Sequence, residues 1–143
     1  MKTKYVVGFL FTKDREQVVL IEKLKPAWQK GLWNGVGGKV EEGELWEDAM
    51  CREFFEETGV KISGWAWQHT VTLFNDHFEC RFFRAFRDLA LDVKTMEEEV
   101  VCLHPVRYVL GENVPLMNNL RWLIPLQLDM GLDFPIEPIQ DGP

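Results

Sequence analysis

The chain has 143 residues, a formal net charge of −7 and 46% hydrophobic residues. This length predicts a single domain, residues 1–143, with its own core, and the apolar fraction excludes wholesale disorder. The excess of acidic residues argues against a nucleic-acid polymer as the partner, because proteins that bind such polymers carry a basic surface. It does not exclude a small anion, since a metal ion can bridge carboxylates and an anionic substrate.

Five segments rich in β-branched and aromatic residues predict strands: 6–12, 18–23, 65–74, 78–86 and 100–106. A short charged link joins the first two, and the turn residues Asn75-Asp76 join the third and fourth. The sequence therefore predicts two hairpins and one further strand. The apolar run near the N-terminus is followed by charged residues and not by a small-residue cleavage site, so we interpret it as a strand and not as a signal peptide.

Two segments predict helices. Residues 45–58 contain neither glycine nor proline, and Gly59 is placed to end the helix. Residues 116–130 predict a second helix with Asn113 as its N-cap, and Pro125 inside it should kink or divide it. Helices at separate points among mixed strands predict an α+β or α/β sandwich.

The remaining segments predict loops and a reducing environment. Residues 24–32 form a loop, and the tail 133–143, which holds three prolines, should lie over the surface. The three cysteines are odd in number and have no CxxC spacing, so they predict free thiols, no zinc site and a cytoplasmic protein. No stretch reaches the roughly 18 apolar residues of a membrane span, and no membrane contact is predicted.

The predicted first helix carries three carboxylates on one face. At about 100° per residue, Glu53, Glu56 and Glu57 fall on the same side. They repel one another and lie toward the helix end that disfavours negative charge. A hard divalent cation such as Mg²⁺ would offset that cost, and the Gly37-Gly38 turn could bring a backbone carbonyl to it. A solvated acidic face remains the alternative.

The same segment carries a longer pattern. Gly38, five residues, Glu44, seven residues and then the run from Arg52 to Val60 resemble the Nudix box of the Nudix hydrolases. Each fixed position is matched, and the mild departure at Phe54 concerns packing. The resemblance implies a Nudix α/β/α sandwich with a central mixed sheet, in which the box forms a loop–helix–loop.

This resemblance also implies a reaction and a set of residues. Nudix hydrolases cleave a nucleoside diphosphate linked to another moiety, with Mg²⁺ or Mn²⁺ as the cofactor. The implied metal ligands are Glu53, Glu56 and Glu57, a carbonyl of Gly37 or Gly38, and one glutamate of the later run 97–99, for which spacing from Cys102 favours Glu98. Arg52 would position a catalytic glutamate, and Glu44 would be a structural or outer-shell acid. A solvated acidic turn is the alternative for 97–99.

Residues beside the box point to a substrate class. The stretch 32–40 is similar to the MutT-type nucleoside triphosphatases that act on oxidised purines, where the position of Asn34 contacts the base. Trp28 resembles an aromatic that flanks the base, and Asn118 or Asn119, with Asn119 preferred, would contact it from the C-terminal helix.

Several functions remain open at this stage. Lys23 could contact the triphosphate. The predicted reaction converts a nucleotide such as 8-oxo-dGTP to the monophosphate and pyrophosphate; the alternative substrates are ADP-ribose, a nucleotide sugar or a dinucleoside polyphosphate. A binding module without catalysis would be expected to have lost a glutamate of the box. The expected assembly is a monomer or a homodimer.

Overall fold

The fold is built on one mixed β-sheet in the computed structural model, which describes residues 2–111 and 113–143. The strands are β1 (Thr3–Phe11), β2 (Gln17–Glu22), β3 (Trp33–Asn34), β4 (Val36–Lys39), β5 (Gln68–Phe74), β6 (Phe78–Phe86), β7 (Val101–Pro105) and β8 (Ile139–Gln140). The helices are α1 (Trp46–Thr58), α2 (Val106–Val109) and α3 (Leu120–Leu128), with 3₁₀ turns at Ala27–Gln29, Gly64–Ala66 and Asp88–Asp92. Within the described residues, none of these helices has the length and apolar character needed to cross a bilayer.

Strand β1 lies at the centre of the sheet and has different partners along its two edges. One edge pairs in parallel with β6 over its whole length, from Thr3 opposite Phe78 to Phe11 opposite Phe86. The other edge pairs antiparallel with β4 in its first half and meets β2 only at Phe11, opposite Val18. The chain passes from β3, which pairs with β2, into β4, which pairs with β1. This crossing places the Asn34–Gly38 region at a split in the sheet.

The alternation of side chains along the strands builds a core on each face of the sheet. On one face Val6 and Leu10 pack with Phe54 of α1. On the other face Phe9 and Phe11 of the same strand pack with residues of α2 and α3. Helices therefore cover both faces, which confirms the predicted α/β/α sandwich with a central mixed sheet.

Helix α1 agrees with its prediction because the local signals coincide. Leu45 is the N-cap, and Gly59 ends the helix in the left-handed conformation with φ 74°, donating its N–H to Phe55 O at 2.9 Å. Glycine reaches this conformation without a Cβ penalty. Ala49, Met50 and Phe54 are buried, so the opposite face, which carries the glutamates, is left toward the loops.

The C-terminal region differs from its prediction. Helix α3 begins at Leu120, with Asn119 and not Asn113 at its N-cap position, because Leu116 is extended and bridges to Trp33. Pro125 lies inside α3 without dividing it. The tail 133–143 lies at the surface as expected, and within it β8 adds an unpredicted parallel strand beside β5. Strand β5 also starts later than predicted, after the 3₁₀ turn at Gly64–Ala66.

Candidate active site

Arg52 joins the loop before α1 to the acidic face of the helix. Its Nε and Nη2 donate to the two carboxylate oxygens of Glu44 at 2.8 and 3.0 Å, which is a bidentate pair. Nη2 also donates to Lys39 O at 3.0 Å, and Nη1 donates to Glu53 at 2.9 Å and to Glu56 at 3.3 Å. These hydrogen bonds, those with Glu44 first, raise the pKa of Arg52 and lower the pKa of Glu44. One guanidinium therefore orders three glutamates.

Glu53 lies against the glycine pair of β4. Its side chain is 14% exposed, and burial raises its pKa although the hydrogen bond from Arg52 acts in the opposite direction. A Cβ on Gly38 would come within 2.5 Å of the Glu53 carboxyl carbon, and a Cβ on Gly37 would overlap Val6 O. Both glycines are thus required by close approach: one by the carboxylate and the other by the backbone of β1.

Glu57 lies beside a second group of acids, the run 97–99. Met96 donates its N–H to Glu57 O at 3.2 Å, and this contact brings the run 97–99 beside the end of α1. Glu57 Oε2 is buried and has no hydrogen-bond partner among the described residues. Burial raises the pKa of Glu57 to about 7, and the charges of Glu97, Glu99 and Glu53 add to this effect. The acidic cavity here measures about 560 Å³ and is lined by Lys23, Leu24, Lys25, Glu57, Glu97, Glu98 and Glu99.

The arrangement fits a divalent cation at the helix face. Among residues 2–111 and 113–143, no three His, Cys, Asp or Glu side chains converge on one point as they stand. Like charges separate, and Arg52 draws Glu53 and Glu56 to itself. The orphaned Glu57 oxygen and the carboxylate packed on Gly38 nevertheless present the oxygen ligands that hard cations take.

A larger cavity of about 760 Å³ lies beside this region. Apolar side chains of the central strands line it, including Val7, Leu73, Cys80 and Phe82. Gly37 and Gly38 form its boundary toward the acidic helix face. The cavity therefore combines an apolar surface with one side that leads to the carboxylates, and apolar cavities with a few polar groups are typical ligand sites.

Two asparagine amides face this cavity. Asn34 Oδ1 accepts the Gly35 N–H at 2.8 Å, which leaves its Nδ2 as a donor. Asn119 also lines the cavity, and its buried Oδ1 has no partner among the described residues. Asn118 is exposed and lies outside the cavity lining. The cavity thus offers one amide donor and one amide acceptor, which complement the edge of a nucleobase.

Lys23 and Trp28 lie at the margins of these cavities. Lys23 lines both, and its Nζ is paired with Glu99 Oε1 at 2.9 Å, so it is not a free cation in this structure. Trp28 sits in the 3₁₀ turn of the 24–32 loop at the rim of the larger cavity and is 69% exposed. An exposed indole at a rim is available for stacking on a base.

The structure brings only some of the predicted site residues into contact. Arg52, Glu53 and Glu56 are in contact, whereas Glu57 and Glu98 lie together at the acidic cavity. Glu97 and Glu99 belong to the run from which the sequence predicts one metal ligand, and their charges act on Glu57. Met117 and Asp141, which line the larger cavity, were not predicted, because strand β8 and the bridge at Leu116, which place them, left no local signal.

A model of the NUDIX domain matches residues 2–139 of the chain. The chain belongs to the Nudix family. It is 48% identical over 46 residues to the oxidized purine nucleoside triphosphate hydrolase of Mus musculus, a match of 32% of this chain and 30% of that protein. It is 27% identical over 119 residues to Nudix hydrolase 2 of Arabidopsis thaliana, which covers 81% of this chain and 43% of the relative. These matches span less than half of each relative.

Solved structures support the fold over most of the chain. A MutT structure, from work on the proteins of Aliivibrio salmonicida and Vibrio cholerae, has a TM-score of 0.73 at 22% identity and covers 89% of this chain and 98% of its own. The NUDIX domain of Shewanella oneidensis NrtR, complexed with ADP ribose, has a TM-score of 0.74 at 22% identity and covers 88% of this chain and 86% of its own. Both likenesses concern the fold.

Proposed function

We propose that this Nudix protein is a Mg²⁺-dependent pyrophosphohydrolase that converts an oxidised purine nucleoside triphosphate, such as 8-oxo-dGTP, to the monophosphate and pyrophosphate. The observation that carries the proposal is the position of the amide-bearing cavity directly beside the acidic face of α1, with Gly37 and Gly38 between them. A nucleotide with its base in the larger cavity would have its phosphates at the carboxylates.

The two amides support a purine as the base. Asn34 presents a donor and Asn119 an acceptor, and a purine edge offers an acceptor and a donor in return. Neither asparagine ionises, so the proposed hydrogen bonds to the base are made by neutral groups. Trp28 at the rim would stack on the base, and stacking tolerates different bases.

The proposed catalytic roles are those that the resemblance to the Nudix box implies, and the contacts of Arg52 support part of them. Mg²⁺ or Mn²⁺ would be held by Glu53, Glu56 and Glu57, by a carbonyl of Gly37 or Gly38, and by one glutamate of the run 97–99, for which spacing favours Glu98. A bound divalent ion supplies charge neutralisation at the phosphates and a more acidic water. Arg52 holds Glu53 and Glu56 in place through one nitrogen, and Glu44 in turn fixes the guanidinium.

Lys23 would lie near the phosphates only if its side chain turns away from Glu99.

The three cysteines of the chain are free. Free thiols agree with the reducing cytoplasm in which we place the reaction.

The second candidate is hydrolysis of another nucleoside diphosphate derivative. It is suggested by the NrtR domain, which has this fold and is complexed with ADP ribose. The larger cavity, about 760 Å³, also has room beyond a base. A substrate panel separates the candidates.

The panel consists of 8-oxo-dGTP, dGTP, dATP, ADP-ribose, a nucleotide sugar and a dinucleoside polyphosphate, each with Mg²⁺. Cleavage between the α and β phosphates of a triphosphate releases pyrophosphate and a nucleoside monophosphate, whereas ADP-ribose yields AMP and ribose phosphate. We expect pyrophosphate from 8-oxo-dGTP at the highest kcat/KM. Turnover of ADP-ribose alone would contradict the proposal and support the second candidate.

Paired variants test the base contacts. Asn119→Ala should lower the preference for 8-oxo-dGTP over dATP by about tenfold, the size expected for one buried hydrogen bond. Asn118→Ala changes a neighbouring exposed residue of the same type and should leave the preference unchanged. Equal effects of the two substitutions would remove Asn119 from the base site.

A further inference from the structure

Glu99 connects the acidic run to the start of the 24–32 loop. Its Oε1 pairs with Lys23 Nζ at 2.9 Å, and its Oε2 accepts the N–H groups of Leu24 at 2.6 Å and Lys25 at 3.3 Å. The Glu99 side chain is 15% exposed and the Lys23 side chain 21%, so the ion pair is partly buried, whereas the two backbone contacts lie at the surface. Two consecutive backbone N–H groups and an ammonium form a strong site for one carboxylate.

The backbone of the same region explains why Glu99 reaches the loop. Glu22 donates its N–H to Val100 O at 2.8 Å, which places the end of β2 beside the start of β7. The base of the loop is closed by Lys23, whose N–H donates to Leu32 O and whose carbonyl accepts from Gly31. Glu99 therefore binds the first two residues of the loop, next to the backbone pairing of Lys23 with Gly31 and Leu32.

The 24–32 loop forms a wall of the larger cavity. Lys25 and Trp28 line that cavity, and Lys25 also lines the acidic cavity. Lys23, at the base of the loop, also lines both cavities, so the start of the loop lies where the two cavities meet. A displacement of its first residues would move the wall against which the nucleotide rests.

Glu97 has different surroundings from Glu99. It is exposed, and its charge acts on both Glu53 and Glu57. The structure gives Glu97 no hydrogen bond or ion pair among the described residues that compares with the three contacts of Glu99. Glu97 therefore has a carboxylate without a partner among the described residues, whereas the carboxylate of Glu99 is held by three contacts.

We propose that Glu99 is a positioning residue that anchors the 24–32 loop for nucleotide binding and is not a metal ligand. The proposal rests on the proposed function, since it assigns the larger cavity to the nucleotide. It predicts that loss of Glu99 weakens nucleotide binding while leaving metal binding and the chemical step in place.

The test compares Glu99→Ala, Glu99→Gln and Glu97→Gln, with Glu16→Gln on the exposed β1–β2 turn as a control for charge. Three quantities are measured for each: the Kd of Mn²⁺ without nucleotide, the Kd of a triphosphate analogue with a non-hydrolysable α–β bridge, and hydrogen exchange at the amides of residues 24 and 25. KM and kcat are measured with the best substrate of the panel.

Glu99→Ala should raise the analogue Kd and KM about tenfold or more, with kcat and the Mn²⁺ Kd within about threefold, and should deprotect both amides. Glu99→Gln should be intermediate, because its amide oxygen can still accept from Leu24. Glu97→Gln should weaken Mn²⁺ binding by more than either Glu99 variant.

Two results would overturn the proposal. One is a Glu99→Ala variant that loses Mn²⁺ affinity about tenfold with an unchanged analogue Kd, which would make Glu99 a ligand. The other is deprotection of the amides with no change in analogue binding. Analogue binding without turnover of any triphosphate would overturn the proposed reaction alone and leave the role of Glu99 to these measurements.

Discussion

Glu57→Gln should stabilise the metal-free protein at alkaline pH. The carboxylate of Glu57 has a buried oxygen with no partner, and burial together with three nearby glutamates raises its pKa from 4.5 to about 7. An acid whose pKa is raised by folding holds its proton more tightly in the folded state. The folded protein therefore binds more protons than the unfolded chain between these two values, and the free energy of unfolding falls as the pH rises through that range.

The size of the effect follows from the shift. A change from 4.5 to about 7 corresponds to roughly 3 kcal/mol. The side chain of Glu57 is only partly buried, and solvent screening reduces the effect to about 1–2 kcal/mol. For a domain of this size, that corresponds to about 2–8 °C in Tm. The cost is fully present above about pH 7 and absent below about pH 4.5.

The assay is thermal and urea unfolding in EDTA at about pH 8 and about pH 4. Glu57→Gln should exceed the unsubstituted protein in stability at the higher pH and equal it at the lower. Glu42→Gln, an exposed acid of the same loop–helix segment, should match the unsubstituted protein at both. Mg²⁺ should stabilise the unsubstituted protein at the higher pH more than Glu57→Gln, because it binds the ionised carboxylate of the folded state.

A stability difference that is the same at both pH values would refute the reasoning, since an effect of ionisation must disappear when both states are protonated. A Glu57→Gln variant that is less stable than the unsubstituted protein in EDTA at alkaline pH would also refute it. In that case the carboxylate would have a favourable partner in the folded protein.

Three further predictions concern other contacts of the same molecule. Gln127→Met should raise the free energy of unfolding by about 1–3 kcal/mol in urea titrations, because both polar atoms of the fully buried Gln127 amide lack partners among the described residues. Gly38→Ala should weaken Mn²⁺ binding and lower kcat at least about tenfold with an unchanged circular dichroism spectrum, since its Cβ displaces the Glu53 carboxylate; unchanged kinetics would contradict this. Glu44→Gln should cost about 1–2 kcal/mol at neutral pH by loss of the bidentate pair with Arg52. Because the pKa of Glu44 is lowered, that difference should shrink as the pH falls below about 4.5, and a constant difference would argue against the pair.

Helix α1 and its arginine could be predicted because their signals are local. The Gly59 stop, the absence of glycine and proline and the buried face of Phe54 all indicate the same helix. The contact between Arg52 and Glu44 follows from a short loop that returns onto the helix. Signals that agree within one segment need no knowledge of distant chain.

The C-terminal elements could not be predicted because distant pairing decides them. Leu116 has a helical context in the sequence, but its bridge to Trp33 holds the chain extended and delays α3 to Leu120. Asn119, directly before α3, lines the larger cavity, whereas Asn118 is exposed. A bridge between residues more than eighty positions apart in the chain leaves no trace in local propensity.

The acidic run lies outside the regular elements. Strand β7 begins at Val101 and residues 97–99 form a bend, so strand periodicity does not indicate which of the three glutamates faces the helix. Glu98 lines the acidic cavity, and its role as a ligand remains a prediction that the Glu97 and Glu99 variants can be extended to test.

The distribution of positive partners indicates what distinguishes Glu57 from its neighbours. Arg52 donates hydrogen bonds to Glu44, Glu53 and Glu56, and Lys23 forms an ion pair with Glu99. Glu57 keeps a buried oxygen without a hydrogen-bond donor among the described residues, at a place where burial and three other acids oppose its charge. A compensating ligand would offset this cost, because an uncompensated buried charge is strongly destabilising. A cation bound by Glu57 would remove that cost and, at the same step, supply the positive charge that a triphosphate requires from an acidic protein.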